Sequence, residues 1–207
     1  MKIEARGTGL TLLDVGYGVG ELARRVRARC RLLAGIELDA EGARQAAGLF
    51  DRSMTGDLLE SLETLDGESF DVAVAADVLE HLPDPGRALD LLRPLVKPEG
   101  ILLVSLPNVA NVTLRFSLLF GRFSYVPRGL LDASHLRFFT RRTGGALLEA
   151  HGFRVREVVP TAMPVELAIP ALGRPPLAPI VRAAALFLAR IWPTFFGYQF
   201  IYEAVPA

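Results

Sequence analysis

The stretch Leu12-Leu13-Asp14-Val15-Gly16-Tyr17-Gly18-Val19-Gly20 decides the fold. An apolar run short enough for a buried strand passes into three glycines, and residues 21–30 then carry apolar side chains at helical spacing. Strand, glycine turn and helix in that order let the backbone approach a ligand closely and expose amide donors at the helix N-terminus. The spacing is GxGxG. A dinucleotide fingerprint wants its third glycine at position 21, where Glu21 stands, so a nicotinamide cofactor is the weaker candidate.

Outward from this stretch, strand-length apolar runs recur at 32–36, 72–76 and 101–106, with helix-like segments at 41–50 and 86–96 between them. That alternation predicts a parallel sheet with crossover helices. Residues 140–150 read as a further helix, 153–159 as a sixth strand and 196–205 as a last one. The segment 109–140, rich in Phe, Arg and Gly, reads as a cap, and the proline-rich stretch 161–179 as a winding surface connection. The expectation is a single domain over 1–207, with 108–140 and 161–196 as cap or insert segments.

Composition narrows the chemistry. Across 207 residues, 23 basic side chains balance 23 acidic ones, so no global field recruits nucleic acid. The one cysteine, Cys30, excludes an internal disulfide and a cysteine-rich metal centre, and three histidines leave little for a histidine-based one. No metal is expected. Residues 1–7 hold no apolar signal core, and the apolar stretch 180–196 is interrupted by Arg182, Arg190 and Pro193, short of the roughly 20 clean residues a spanning helix needs. A cytoplasmic location follows as an expectation.

A doubly wound sheet binds its ligand outside the carboxyl ends of its strands, and here those ends carry Asp14, Glu37, Asp57 and Asp77. Such an acidic ring repels a pyrophosphate and attracts a ligand bearing a sulfonium, an ammonium and a ribose diol, which describes S-adenosylmethionine. On this reading Gly16, Tyr17, Gly18 and Gly20 form the cofactor loop. Glu37 accepts from the two ribose hydroxyls, Asp57 from the adenine amino group, and Leu38 and Leu58 flank the ring. Asp77 is read either as a ligand residue or as an N-cap for 78–80.

Four motifs carry a resemblance: Asp14 through Gly20, Gly35-Ile36-Glu37-Leu38-Asp39, Gly56-Asp57-Leu58, and Phe70-Asp71 through Asp77-Val78-Leu79-Glu80-His81-Leu82, followed by Pro98-Glu99-Gly100. In this order they resemble the class I methyltransferases that use S-adenosylmethionine, over roughly residues 10–160. The nearest likeness is to the small-molecule enzymes of ubiquinone and menaquinone biosynthesis. Ser105-Leu106-Pro107-Asn108 and Leu118-Leu119-Phe120-Gly121-Arg122 are similar to the methionine-biosynthesis W protein. The resemblance implies an α/β fold with a doubly wound, Rossmann-like sheet of about seven strands, mostly parallel with the last antiparallel, plus a small helical cap. It implies methyl transfer to the oxygen or carbon of a small-molecule acceptor, lipophilic or anionic. The alternative is a catalytically silent binding or regulatory subunit of the same fold. The chain departs from the pattern in Tyr17, where a small residue is usual, and in starting almost at the first strand.

The acceptor side is read from residues beyond the fourth and fifth strands. His81 and His135 are the candidate general bases, each with a bland counterpart as a turn or lid histidine. Asn108, His135 and Arg137 are candidate substrate contacts, with Arg115, Arg122 and Arg128 giving the cap a positive bias. His151 is expected at a helix end. Residues 180–192 form an amphipathic helix whose apolar face packs on the fold or on a second copy, a homodimer being one outcome; peripheral membrane contact is the less favoured reading.

Overall fold

A computed structural model describes residues 3–164 and 174–207. Seven strands, β1 (Leu10–Val15), β2 (Cys30–Glu37), β3 (Arg52–Thr55), β4 (Phe70–Ala76), β5 (Val96–Pro107), β6 (Phe153–Pro160) and β7 (Gln199–Pro206), form one sheet in the order β3-β2-β1-β4-β5-β7-β6. The first five are parallel, and β7 inserts antiparallel to both β5 and β6. This is the expected doubly wound sheet with its antiparallel last strand. In β1 all six residues are buried, so the period-2 alternation of a one-sided sheet is absent.

Alternate residues of the central strands feed two cores. Leu13, Val15, Ala73, Ala75, Leu102 and Val104 pack on one face with Leu89 and Leu92 of α4 (Pro85–Leu95) and Leu148 of α6 (Arg141–Ala150). Leu12, Val72, Val74, Ile101 and Leu103 face the other way, against Ala23 and Val26 of α1 (Glu21–Val26). The remaining helices are α2 (Ala40–Gln45), α3 (Leu58–Glu63), α5 (Val112–Leu119), α7 (Leu177–Ile191) and α8 (Pro193–Phe196). Caps start them where the sequence places short polar residues: the Asp39 side chain accepts from the Glu41 and Gly42 amides, Asp84 from Arg87, and Thr140 and Thr143 cap reciprocally.

Several boundaries differ from the sequence expectation. The first helix ends at Val26, where a 3-10 turn, Arg27–Arg29, hands the chain to β2. The last strand begins at Gln199 because Pro193 opens a helical turn first. In the cap, α5 and the following loop gather around Leu114, Leu130 and Leu131. Part of the expected 161–196 insert, residues 165–173, lies outside the described residues. Among those described, no helix is long and apolar enough to cross a membrane.

Candidate active site

The glycine loop sits between β1 and α1 with Gly16, Gly18 and Gly20 all at positive φ, which L side chains rarely adopt. Their surroundings differ. A Cβ on Gly16 would meet Val78 Cγ2 at 2.5 Å, and one on Gly20 would meet Leu49 Cδ1 at 2.8 Å, but nothing lies within 4 Å of the position above Gly18. Gly18 is thus the point at which a ligand can reach the backbone. Tyr17 turns its side chain inward, stacks on Phe50 with ring centroids 4.3 Å apart and meets Ser53 Oγ at 2.6 Å. The side chain is buried, and the bulk that breaks the family pattern fills space over Gly35.

Two carboxylates face each other at this loop. Glu37, at the end of β2, accepts from Gly18 N at 2.5 Å and from Asp39 N at 2.8 Å, so it both shapes the loop and presents negative charge beside it. Asp14 is 3% exposed, and its Oδ2 has no hydrogen-bond partner. Burial, and then the charge of Glu37, push its carboxyl up to about 7. A buried acceptor left unsatisfied beside a second carboxylate suits a ligand that brings a cation or hydroxyl donors.

Leu38 is 73% exposed beyond β2, a bare apolar surface beside this pair. Leu58 packs partly into the main core. Asp57 caps α3, taking the Leu59 and Glu60 amides on a single oxygen, Oδ1.

Val78, wedged against Gly16, links the loop to a second, polar pocket of about 250 Å³ lined by Asp77, Glu80, His81, Asp132, His135 and Tyr198 among others. Asp77 is not an N-cap. It holds a left-handed backbone with φ 57°, and its Oδ1 accepts from Ser105 Oγ at 2.5 Å and Gln199 Nε2 at 2.8 Å, tying β4 to β5 and β7. A non-glycine residue in that region stores about 1–3 kcal/mol of strain, which the surrounding bonds must hold. His81 and His135 come together, rings T-shaped with centroids 4.8 Å apart, and His81 Nδ1 donates to Ser134 O at 3.2 Å. Burial first, then the charge of His81, lowers the pKa of His135.

The residue that sequence reading missed is Glu80. It is fully buried, neither carboxylate oxygen has a partner, and burial, then opposed by its own backbone and assisted by Asp77, raises its carboxyl to about 8. Its signal was an acidic residue inside Val78-Leu79-Glu80-His81, in the run already singled out. Two expected contacts move off the pocket. Asn108 is 0% exposed; its amide nitrogen donates to the Gly197 and Thr194 carbonyls, joining β5 to the approach of β7, and its oxygen accepts from Ala110 N, so both side-chain polar atoms are used. The Arg137 guanidinium donates to Pro83 O and remains exposed, strapping the cap to the β4–α4 turn. Arg115 likewise serves the cap, donating to Ala110 O and lying over the Phe195 ring. His151 caps the end of α6 and pairs with Asp90 at 2.8 Å.

A larger apolar hollow of about 610 Å³ lies on the face of β4, β5 and β7 and meets the polar pocket at Gln199.

Comparisons with known proteins agree with this geometry. A family described as "Methyltransferase domain" matches residues 3–158. The chain is 31% identical over 118 residues to the ubiquinone biosynthesis O-methyltransferase of Haemophilus ducreyi, covering 51% of this chain and 50% of that protein. The enzyme of the same name from Paraburkholderia phymatum is 32% identical over 137 residues, 62% of this chain and 56% of its own length. The chain therefore spans about half the length of these curated relatives. Among solved structures, an S-adenosylmethionine-dependent methyltransferase from Archaeoglobus fulgidus superposes with a TM-score of 0.68 at 20% identity, over all of this chain and 90% of that one. Magnesium protoporphyrin IX methyltransferase from Synechocystis, with bound S-adenosylhomocysteine, gives 0.64 at 18% identity, over 99% of this chain and 77% of that one. With three quarters of its length under one family description, the chain belongs to the methyltransferase-domain family.

Proposed function

We propose that this chain is an S-adenosylmethionine-dependent methyltransferase whose acceptor is a small molecule entering the polar pocket beside Asp77, His81 and His135. The observation that carries the reading is the unpartnered Asp14 Oδ2, buried next to Glu37 under the open approach to Gly18. Bound there, S-adenosylmethionine supplies a methyl group on a cationic sulfur. Asp14 and Glu37 hold the ligand's cationic and hydroxyl groups, the Gly18 backbone permits close approach, and Leu38 offers an apolar surface to the base. Val78 packs against Gly16 while its neighbour Asp77 lines the pocket, so the two sites adjoin and donor and acceptor can be held directly in line. Most of the rate acceleration in a displacement of this kind comes from such alignment in a dry site, without a covalent intermediate on the protein. An acceptor hydroxyl must also lose a proton. His81 fits that role: its Nδ1 proton is on the Ser134 carbonyl, leaving Nε2 to accept.

Calorimetric titration with S-adenosylmethionine, S-adenosylhomocysteine and NADH tests the proposal. The first two bind at one site and NADH does not; preference for NADH overturns the reading of the acidic ring.

A further inference from the structure

We propose that Glu80, His81 and His135 form a binding site for a borderline divalent cation of the zinc and cobalt class. One ligating atom from each lies within 4.8 Å of the others. The chemistry of those atoms is more telling than their proximity. Glu80 is completely buried with both carboxylate oxygens unpartnered, and His135, 8% exposed, has a buried Nδ1 without a partner. His81 places its Nδ1–H on the Ser134 carbonyl. His81 thus has one nitrogen fixed by a backbone carbonyl and offers the other as a lone pair, the outer-sphere arrangement that orients metal-bound histidines, while His135 brings a buried, unpartnered Nδ1.

The unpartnered Glu80 oxygens and His135 Nδ1 therefore converge with a half-buried His81 ring. Two imidazole nitrogens and a carboxylate make a set suited to zinc or cobalt rather than to magnesium or calcium, which prefer oxygen throughout. Asp77 and Asp132 line the same pocket and add negative charge around it. On a tetrahedral zinc, neighbouring ligand atoms stand about 3.4 Å apart, so binding draws the three side chains inward by small rotations, for which half-buried His81 has room. Cap and sheet are already joined at this point, since the Glu80 carbonyl accepts from the Leu136 and Arg137 amides at 2.8 and 3.0 Å. Three protein ligands leave a coordination position open, and the adjoining pocket gives an oxygen of the acceptor room to occupy it. That last step rests on the methyltransferase reading; cation binding does not. With the cation in place His81 is a ligand, and an acceptor hydroxyl at the open position would be acidified by coordination and lose its proton to bulk water instead of to a free imidazole.

The test uses the full chain freed of metal by a chelator and titrated with cobalt(II), followed by calorimetry and visible absorption. One equivalent binds, with a d–d spectrum of nitrogen and oxygen ligation. Glu80→Gln and His135→Ala weaken binding by on the order of a hundredfold, at least the loss seen when an outer-sphere partner is removed. Retained circular dichroism and S-adenosylmethionine affinity show that the variants are folded. Should either core variant fail to fold, His81→Ala, at a half-buried position, reads the same site. Absence of a stoichiometric site, or unchanged affinity in folded variants, overturns the proposal. Cobalt binding without S-adenosylmethionine binding leaves the cation site standing and removes the proposed function; the reverse result removes the cation site alone.

Discussion

Replacing Asp14 with asparagine keeps the shape of the side chain and removes its charge, and the structure fixes how stability should respond. In the folded chain the carboxyl takes up a proton at about 7, whereas exposed in the unfolded chain it does so near 3.8. Between those values the folded state holds the extra proton. The stability this residue contributes is therefore complete below about 3.8 and is lost as pH rises through about 7. A displacement of about three pH units at about 1.4 kcal/mol each gives a ceiling of about 4 kcal/mol, with no discount for solvent because the side chain is 3% exposed. Urea denaturation of native chain and Asp14→Asn at pH 5 and pH 8 reads the effect. The variant should gain stability over the native chain on going from pH 5 to pH 8, by a few kcal/mol, while losing affinity for S-adenosylmethionine. Ligand binding to the native chain should also release a proton near pH 7, seen as a calorimetric heat that varies with the buffer. If the difference between the two proteins is independent of pH, Asp14 is not a strained carboxyl and the electrostatic argument for the site collapses.

Gly16→Ala places a methyl group against Val78 at positive φ and should lower stability by about 1–3 kcal/mol. Gly18→Ala, with open space above it, should lose less stability in the same urea titration and more cofactor affinity. Asn108→Ala strands the Thr194 carbonyl and the Ala110 amide, the Gly197 carbonyl keeping Asn111 Nδ2, so thermal unfolding should report a loss of about 1–3 kcal/mol with S-adenosylmethionine affinity unchanged. Arg137→Ala removes an exposed strap and should cost under about 1 kcal/mol, with acceptor KM unaltered in a methyl-transfer assay.

How much of this was legible in the sequence follows from how local each determinant is. Asp14, the glycines and Glu37 sit at or just beyond strands whose unbroken apolar runs announce burial on both faces, so sheet and cofactor side could be read together. The acceptor side depends on where the cap returns. Glu80 is buried where Leu136 and Arg137 pair with its carbonyl from far along the chain, and nothing within Val78-Leu79-Glu80-His81 encodes that approach. Asn108 misled for a related reason: a polar residue just past a strand end resembles a substrate contact until β7 arrives with the Gly197 carbonyl. Tyr17 is read from the sequence as part of the cofactor loop, but Gly35 on the neighbouring strand leaves the hollow its ring fills. The last strand started late because Pro193 suits the first turn of a helix better than a strand interior.

A crystal structure of the chain with S-adenosylhomocysteine tests the central claim most directly. The ribose hydroxyls should lie about 2.7–3.0 Å from the Glu37 carboxylate, the amino acid end should approach Asp14 and Gly18, and the sulfur should face the pocket of Asp77, His81 and His135. A ligand bound instead in the apolar hollow over β4, β5 and β7, with Asp14 and Glu37 untouched, would contradict the account.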